Sequence, residues 1–107
     1  MSLDVWLTKS MPTEVFEQNI THNLAPMARA AGLYECLWRP QENGIAFAAQ
    51  LIDPLRLGLI RLLDEPPRYM QLNPENGWGN YENLVKFVEL YLAACIEHPD
   101  ASVGASR

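Results

Sequence analysis

The chain has 107 residues, enough for one domain with its own hydrophobic core and too few for two ordinary domains. Hydrophobic residues make up 49% of it and charged residues 20%, a composition typical of globular rather than disordered proteins. The net charge of -5 and the scattered basic residues argue against nucleic-acid binding, which needs clustered lysine and arginine.

Cysteine content and hydropathy indicate a cytoplasmic protein with no membrane contact. Cys36 and Cys95 are too few for a disulfide framework, and the N-terminus has no signal-peptide pattern. The longest apolar run, residues 45–63, is interrupted by charged side chains such as Asp53 and Arg61. It therefore predicts no membrane span.

The N-terminal part of the chain predicts a short strand followed by a helix. Residues 3–8 alternate apolar and polar side chains of β-favouring types, which indicates a strand within an extended arm over residues 1–9. A first helix is expected to open at Pro12 or Thr13. Its apolar face would carry Val15, Phe16 and Ile20.

A second helical region follows, with Asn23 as its expected N-cap. Pro26 would fall in its first turns, and it either kinks one helix or separates two. Gly32 is a natural stop for this region. Residues 33–38 predict another short helix, which Pro40 ends.

The middle of the chain predicts a turn over residues 41–44 and helix over residues 45–63. The dipeptide 53–54, Asp-Pro, fits either one kinked helix or two abutting helices. Residues 55–63 are apolar nearly all round, which is typical of a helix that is central in a fold or half-buried in a dimer. Gly58 inside this segment costs about 1 kcal/mol relative to alanine unless a neighbour packs closely against it.

The clearest helix lies near the C-terminus, after a short helix expected over residues 68–72. Asn80 is its expected N-cap, and Pro99 ends it. Apolar residues recur at helical spacing along it: Tyr81, Leu84, Val85, Val88, Tyr91, Leu92 and Cys95. Phe87 lies off this stripe and widens the face expected to be buried.

These elements predict an all-α fold, a compact bundle of four to six helices in a single domain over residues 1–107. The helical core would span residues 12–98, between the arm at 1–9 and an extended tail at 99–107. Val103 in the tail leaves room for a small two-stranded ribbon that joins the N- and C-terminal ends.

Five segments taken together, 19–24, 31–34, 37–40, 73–79 and 99–101, resemble a family of small bacterial and phage proteins of about this length. That family has no assigned function. The resemblance therefore implies a stand-alone domain and brings no activity, cofactor or catalytic residue. Gly104 and Ala105 depart from the more regular alternation that the family shows at its chain ends.

No pattern in the sequence identifies a catalytic residue. His22 lies at a predicted helix boundary, where it more often braces two helices than acts as a general base. Cys36 with His22 and Asn23 makes a poor nucleophilic triad, because adjacent side chains diverge. His98 lies far from His22 in the sequence, and no histidine or cysteine pair has metal-ligand spacing. We expect no metal and no cofactor, and a non-enzyme more readily than an enzyme.

Two tryptophan-containing segments are the candidate binding features. Trp38 precedes Arg39, and Trp78 stands between two loop glycines that would let a partner approach the backbone. Alternatively both tryptophans fill the core. For Trp78, packing over Gly79 onto Leu84 as a pin for the last helix is favoured. The candidate site comprises Asn19, His22, Asn23, Trp38, Arg39, Asn76 and Trp78.

Three functions fit these observations. The first is a small accessory protein that acts as a protein-interaction module, either with itself as a homo-oligomer or with an unknown protein partner. The second is a small-molecule binder or enzyme with a cleft around His22, Trp38, Arg39 and Trp78. The third is an orphan structural domain of phage origin.

Overall fold

The computed structural model describes residues 2–9 and 13–107, which form one antiparallel sheet and five α-helices. The strands are β1 (Ser2–Lys9), β2 (Thr13–Thr21) and β3 (Ser102–Ser106). The helices are α1 (Ala25–Ala30), α2 (Tyr34–Trp38), α3 (Ala49–Asp64), α4 (Pro66–Met70) and α5 (Tyr81–Glu97). The strand order is β2–β1–β3. The described part of the chain is therefore mixed α and β, and the prediction of an all-α bundle is wrong.

The error lies at β2, where the first helix was expected. Three of its side chains point inward at every second position: Phe16, Gln18 and Ile20. Gln18 is polar, so the alternation is hard to recognise, and its Nε2–H donates to the Phe87 carbonyl at 2.7 Å. A β-bulge at Val15 also shifts the register opposite Leu7 and Thr8. Pro12, an expected helix start, lies outside the described residues.

The chain ends do pair, which the sequence had left open, but inside a three-stranded sheet rather than a two-stranded ribbon. β1 pairs with β3, and Leu7 lies opposite Val103. Gly104 lies opposite Trp6, and a Cβ atom there would be 2.1 Å from the indole Cε2 of Trp6. The departure at Gly104 therefore accommodates a tryptophan that covers the strand.

The core lies between the inner face of the sheet and the helices, chiefly α3 and α5. β1 contributes three fully buried side chains: Leu3, Val5 and Leu7. Each fully buried aliphatic side chain contributes roughly 1.5–3 kcal/mol from removal of its surface from water. The Tyr81 hydroxyl on α5 donates to the Leu62 carbonyl on α3 at 2.5 Å, which ties these two helices together.

The chain turns from the sheet into α1 at Thr21, not at the expected cap Asn23. The Thr21 hydroxyl accepts a hydrogen bond from the Asn23 N–H at 3.3 Å and opens a 3-10 turn that runs into α1. Pro26 occupies the first turn of α1, so it neither kinks a helix nor separates two. Gly32, with φ of 76°, follows α1 as predicted.

Helix α3 is continuous through Pro54 and begins at Ala49 rather than at Ile45. Pro54 removes only its own bond to the Gln50 carbonyl, and Gln50 is exposed to water. The interpretation as two abutting helices is therefore wrong.

A neighbour does pack closely against Gly58. A Cβ atom on Gly58 would lie 2.2 Å from Cδ2 of Leu33, which is fully buried. The glycine thus lets α3 approach the segment before α2.

Helix α5 begins as predicted after Asn80. The Asn80 side chain accepts from the Asn83 N–H at 2.8 Å, and the Asn83 side chain accepts from the Asn80 N–H at 3.0 Å. This reciprocal capping box fixes where the helix starts. Phe87 is buried, as expected for a widened face. None of the helices in the described ranges is long and apolar enough to cross a bilayer.

Candidate functional site

Asparagine side chains hold the loop between α4 and α5 and place Trp78 beside β2. The Asn73 Oδ1 accepts from the Tyr81 N–H at 2.8 Å, and the Asn76 Oδ1 accepts from the Trp78 N–H at 2.9 Å. Gly77 lies between Asn76 and Trp78 with φ of 77°, a conformation that favours glycine. Such local side-chain bonds stabilise a turn that has few backbone partners of its own.

Trp78 is 70% exposed, so the prediction that it pins α5 by packing onto Leu84 is wrong. Gly79 has φ of 96°, and a Cβ atom there would lie 2.7 Å from Cγ2 of Thr21. Because the main chain itself contacts the end of β2, the indole remains on the surface.

One groove, which we call the edge groove, runs along the free edge of β2. Its lining is formed by residues 18–21 of β2, Leu24, Trp78, Gly79, and Asn83, Lys86, Phe87 and Leu90 of α5. Successive residues of a strand point to opposite faces, so a groove that contacts four in a row must follow the strand edge. The edge groove has a volume of about 340 Å³.

A second groove, the polar groove, lies on the other side of Trp78 and has a volume of about 570 Å³. It brings together five of the seven predicted site residues: Asn19, His22, Asn23, Asn76 and Trp78. Ser2 and Thr21 complete its lining. The outward-facing end of the sheet and the asparagine-held loop therefore meet at this point.

His22 connects the polar groove to the core through Trp38. The Trp38 Nε1–H donates to the His22 Nδ1 at 2.9 Å, which places the proton of a neutral His22 ring on Nε2. Trp38 is only 3% exposed and stacks on Tyr34 at a centroid distance of 5.5 Å. This hydrogen bond supports the interpretation of His22 as a brace, and Trp38 is buried in the core.

Arg39 lies apart from both grooves. Its Nη1 forms an ion pair with Glu42 Oε2 at 2.7 Å, and interaction with its guanidinium lowers the pKa of Tyr34. Arg29 adds a second cation, 4.0 Å from the centre of the Tyr34 ring. These residues form a surface cluster behind Trp38, so Arg39 does not contribute to a shared cleft.

The two thiols have the properties of core residues. Burial raises the pKa of Cys36 to about 12, and the Cys36 Sγ lies 3.4 Å from the Leu33 carbonyl. Burial also raises the pKa of Cys95 to about 12. A thiol that stays protonated at neutral pH is a poor nucleophile and a poor metal ligand. No group of three or more potential metal ligands occurs in residues 2–9 and 13–107.

Of the residues that line the edge groove, the sequence interpretation included only Asn19 and Trp78, because it treated β2 as a helix. The signal was present in the alternation of inward Phe16 and Ile20 with outward Glu17 and Asn19. It was weakened by the polar Gln18 at the inward position between them.

Comparison of the chain with protein-family models, curated proteins and solved structures finds no match in any of the three. The resemblance to small bacterial and phage proteins therefore stays a prediction.

Proposed function

We propose that the protein is a protein-interaction module that binds an extended peptide segment of a partner along the free edge of β2. The observation that carries this proposal is the edge groove, in which an unpaired strand edge lies beside an exposed tryptophan and apolar residues of α5. This proposal is the interaction-module hypothesis from the sequence, with the edge groove as the binding surface.

The backbone of β2 supplies the first element of recognition. β2 is the outermost strand on its side of the sheet and pairs only with β1 within the described residues. Every second N–H and C=O of such an edge points away from the sheet and can pair with an added strand. Peptide recognition by strand addition uses these groups for affinity and flanking pockets for specificity.

The side chains of the edge groove supply the second element. Phe87 and Leu90 lie on its α5 side, and Trp78 stands at one end. Trp78 is 70% exposed, and large aromatic residues are over-represented among residues that dominate binding energy. An apolar residue of the peptide would contact mainly Leu90, which is 46% exposed, while Trp78 covers it.

Lys86 adds a charge preference. It lines the edge groove, and the ion pair with Glu82 that helical spacing favours is not formed within 4.0 Å in the described part of the chain. A carboxylate on the peptide would therefore meet an unpaired ammonium group. We expect bound peptides to combine an apolar residue with an acidic one.

The test is selection of peptides from a displayed random library, followed by titration of the selected peptide against the purified chain. Trp78→Ala is expected to weaken binding by about 30-fold or more, the equivalent of a 2 kcal/mol hot spot. Phe47→Ala is the matched control, because Phe47 is 51% exposed and lines neither groove. Equal binding by the wild type and Trp78→Ala, or a library that yields no binder, would contradict the proposal.

A second candidate is the binding of a small polar ligand in the polar groove. The convergence of Asn19, Asn23, Asn76 and His22 beside Trp78 favours it, and the volume of about 570 Å³ is in the range of ligand sites. A thermal-shift screen against metabolites tests it, because a ligand that binds only the folded state raises the melting temperature. Asn23→Ala should abolish such a shift and Leu90→Ala should leave it unchanged, since Asn23 lines the polar groove and Leu90 does not.

A further inference from the structure

Helix α3 has a second apolar face that points away from the core. Three of its side chains are more than half exposed: Leu57 at 53%, Ile60 at 55% and Leu63 at 54%. At 100° per residue these positions centre on the side of the helix opposite its buried residues, Leu51, Leu55, Gly58 and Leu62. Residues 55–63, which are apolar nearly all round, therefore pack against the core with one side of the helix only. Within residues 2–9 and 13–107 nothing covers the other side.

We propose that this α3 outer face, formed by Arg56, Leu57, Ile60, Leu63 and Asp64, joins two copies of the chain as an antiparallel helix pair with a twofold axis at Ile60. Leu57 and Leu63 each lie three residues from Ile60, so the axis sets Leu57 of one copy level with Leu63 of the other. Two apolar layers then flank the contact between the two Ile60 side chains. A twofold interface requires a self-complementary surface of this kind.

Charge complementarity points to a second copy as the occupant. Arg56 and Asp64 each lie four residues from Ile60, so the same axis sets the guanidinium of one copy level with the carboxylate of the other. Asp64 makes no ion pair within the described residues, and Arg56 makes only a loose one with exposed Asp53, at 3.6 Å. A parallel pair would instead set Arg56 against Arg56 and Asp64 against Asp64.

The apolar contacts drive this association, and the charges set its orientation. Exposed ion pairs contribute little affinity but disfavour wrong registers. Each copy carries a net charge of -5, which opposes association at low salt. A single helix pair is smaller than a standard interface of roughly 800 Å² per partner, so we expect a dissociation constant on the order of micromolar.

The dimer is independent of the peptide-binding proposal, because no residue of α3 lines the edge groove or the polar groove. Both edge grooves of a dimer would remain open. A dimer could then bind a partner that carries two peptide segments, with a gain in avidity.

Sedimentation equilibrium of the full chain over a range of micromolar concentrations tests the proposal. The average mass is expected to rise from 12.1 kDa towards twice that value as concentration increases. Ile60→Asp places two carboxylates at the twofold axis and should hold the chain at the monomer mass. Ile96→Asp is the matched control, because Ile96 is 53% exposed on α5 and should leave the dimer intact.

Charge exchange tests the antiparallel register. Arg56→Asp and Asp64→Arg should each weaken the dimer by several-fold, and the double variant should restore it because the opposite charges are again level. Circular dichroism confirms that each variant is folded. The proposal is overturned by a mass that stays at 12.1 kDa at all concentrations, by a dimer that persists in Ile60→Asp, or by a double variant no better than its parents.

A symmetric cross-link gives an independent readout. Ile60→Cys should form a disulfide-linked dimer on mild oxidation, since the two introduced thiols face each other while Cys36 and Cys95 are buried. Ile96→Cys should not. Equal cross-linking of the two variants would mean random collision and would also overturn the proposal.

Discussion

Replacement of His22 by leucine distinguishes a structural histidine from one kept only for binding or catalysis. Within residues 2–9 and 13–107, the Trp38 Nε1–H has one acceptor, the Nδ1 of His22, at 2.9 Å. Trp38 is 3% exposed, so its N–H cannot turn to bulk water when the acceptor is removed. His22→Leu nearly preserves side-chain volume, and the loss is therefore mainly that of the acceptor.

The expected cost follows from the burial of that donor. A buried polar group left without a partner costs roughly 1–3 kcal/mol, whereas substitution of a surface residue usually changes stability by less than about 0.5 kcal/mol. For a domain of this size we expect the melting temperature of His22→Leu to fall by roughly 4–8 °C for each kcal/mol lost.

Urea denaturation of a double-mutant cycle with Trp38→Phe measures the interaction itself. Phenylalanine has no side-chain N–H that could lose its acceptor. His22→Leu should therefore lower the free energy of unfolding by about 1–2 kcal/mol less in the Trp38→Phe background than in the wild type. His22→Leu within about 0.5 kcal/mol of wild type, or two effects that simply add, would refute the interpretation of His22 as a brace.

Two further predictions concern the core. Gly58→Ala should lower the free energy of unfolding by on the order of 1 kcal/mol, because overpacking against Leu33 costs roughly 1–3 kcal/mol and outweighs a helix-propensity gain of about 1 kcal/mol. In a Leu33→Ala background the same change should be neutral or stabilising. A single variant Gly58→Ala that is more stable than the wild type would contradict the close packing of Gly58 against Leu33. The stability should also fall above pH 9, because the unfolded thiols ionise near their ordinary pKa of 9.0 while burial holds the pKa of Cys36 and Cys95 at about 12 in the folded chain. The stability that the two protonated thiols contribute is fully present below pH 9 and declines up to about pH 12; at pH 10 the loss is roughly 3 kcal/mol for both thiols together. A double Cys→Ala variant should show a shallower decline of stability with pH in urea denaturation. An unchanged slope would exclude the thiols as the cause of the decline.

The helices could be predicted where local chemistry determines them. Asn80 as a cap, the apolar stripe of α5 and the stop at Gly32 depend on residues within one or two turns of each other, and all are present. The sequence allowed the pairing of β1 with the tail but did not determine it, because Gly104 and Ala105 interrupt the alternation.

β2 could not be recognised in the same way, because its pattern depends on partners far along the chain. Gln18 can occupy an inward position because the Phe87 carbonyl, 69 residues away, accepts a hydrogen bond from its side-chain amide. The bulge at Val15 is likewise a property of the pairing with β1 rather than of the local sequence.

The candidate site also contains residues that local sequence could identify and residues whose position depends on distant parts of the chain. Residue type alone singled out Asn19, His22, Asn23, Asn76 and Trp78, which meet at the polar groove. It also singled out Arg39, which lies elsewhere, and Trp38, which is buried. Trp78 is exposed beside the close approach of Gly79 to Thr21, and no local rule predicts such an approach between a loop and the end of a distant strand.

The central claim is that the free edge of β2 binds an extended peptide, and the most direct measurement is an NMR titration of the isotopically labelled chain with a library-selected peptide. The account predicts perturbed backbone amides at residues 18–21, at Trp78 and Gly79, and along the α5 side of the edge groove, with slowed hydrogen exchange of the outward-pointing β2 amides. Perturbation confined to the outer face of α3, or to Ser2, His22, Asn23 and Asn76 of the polar groove, with the β2 amides unchanged, would contradict it.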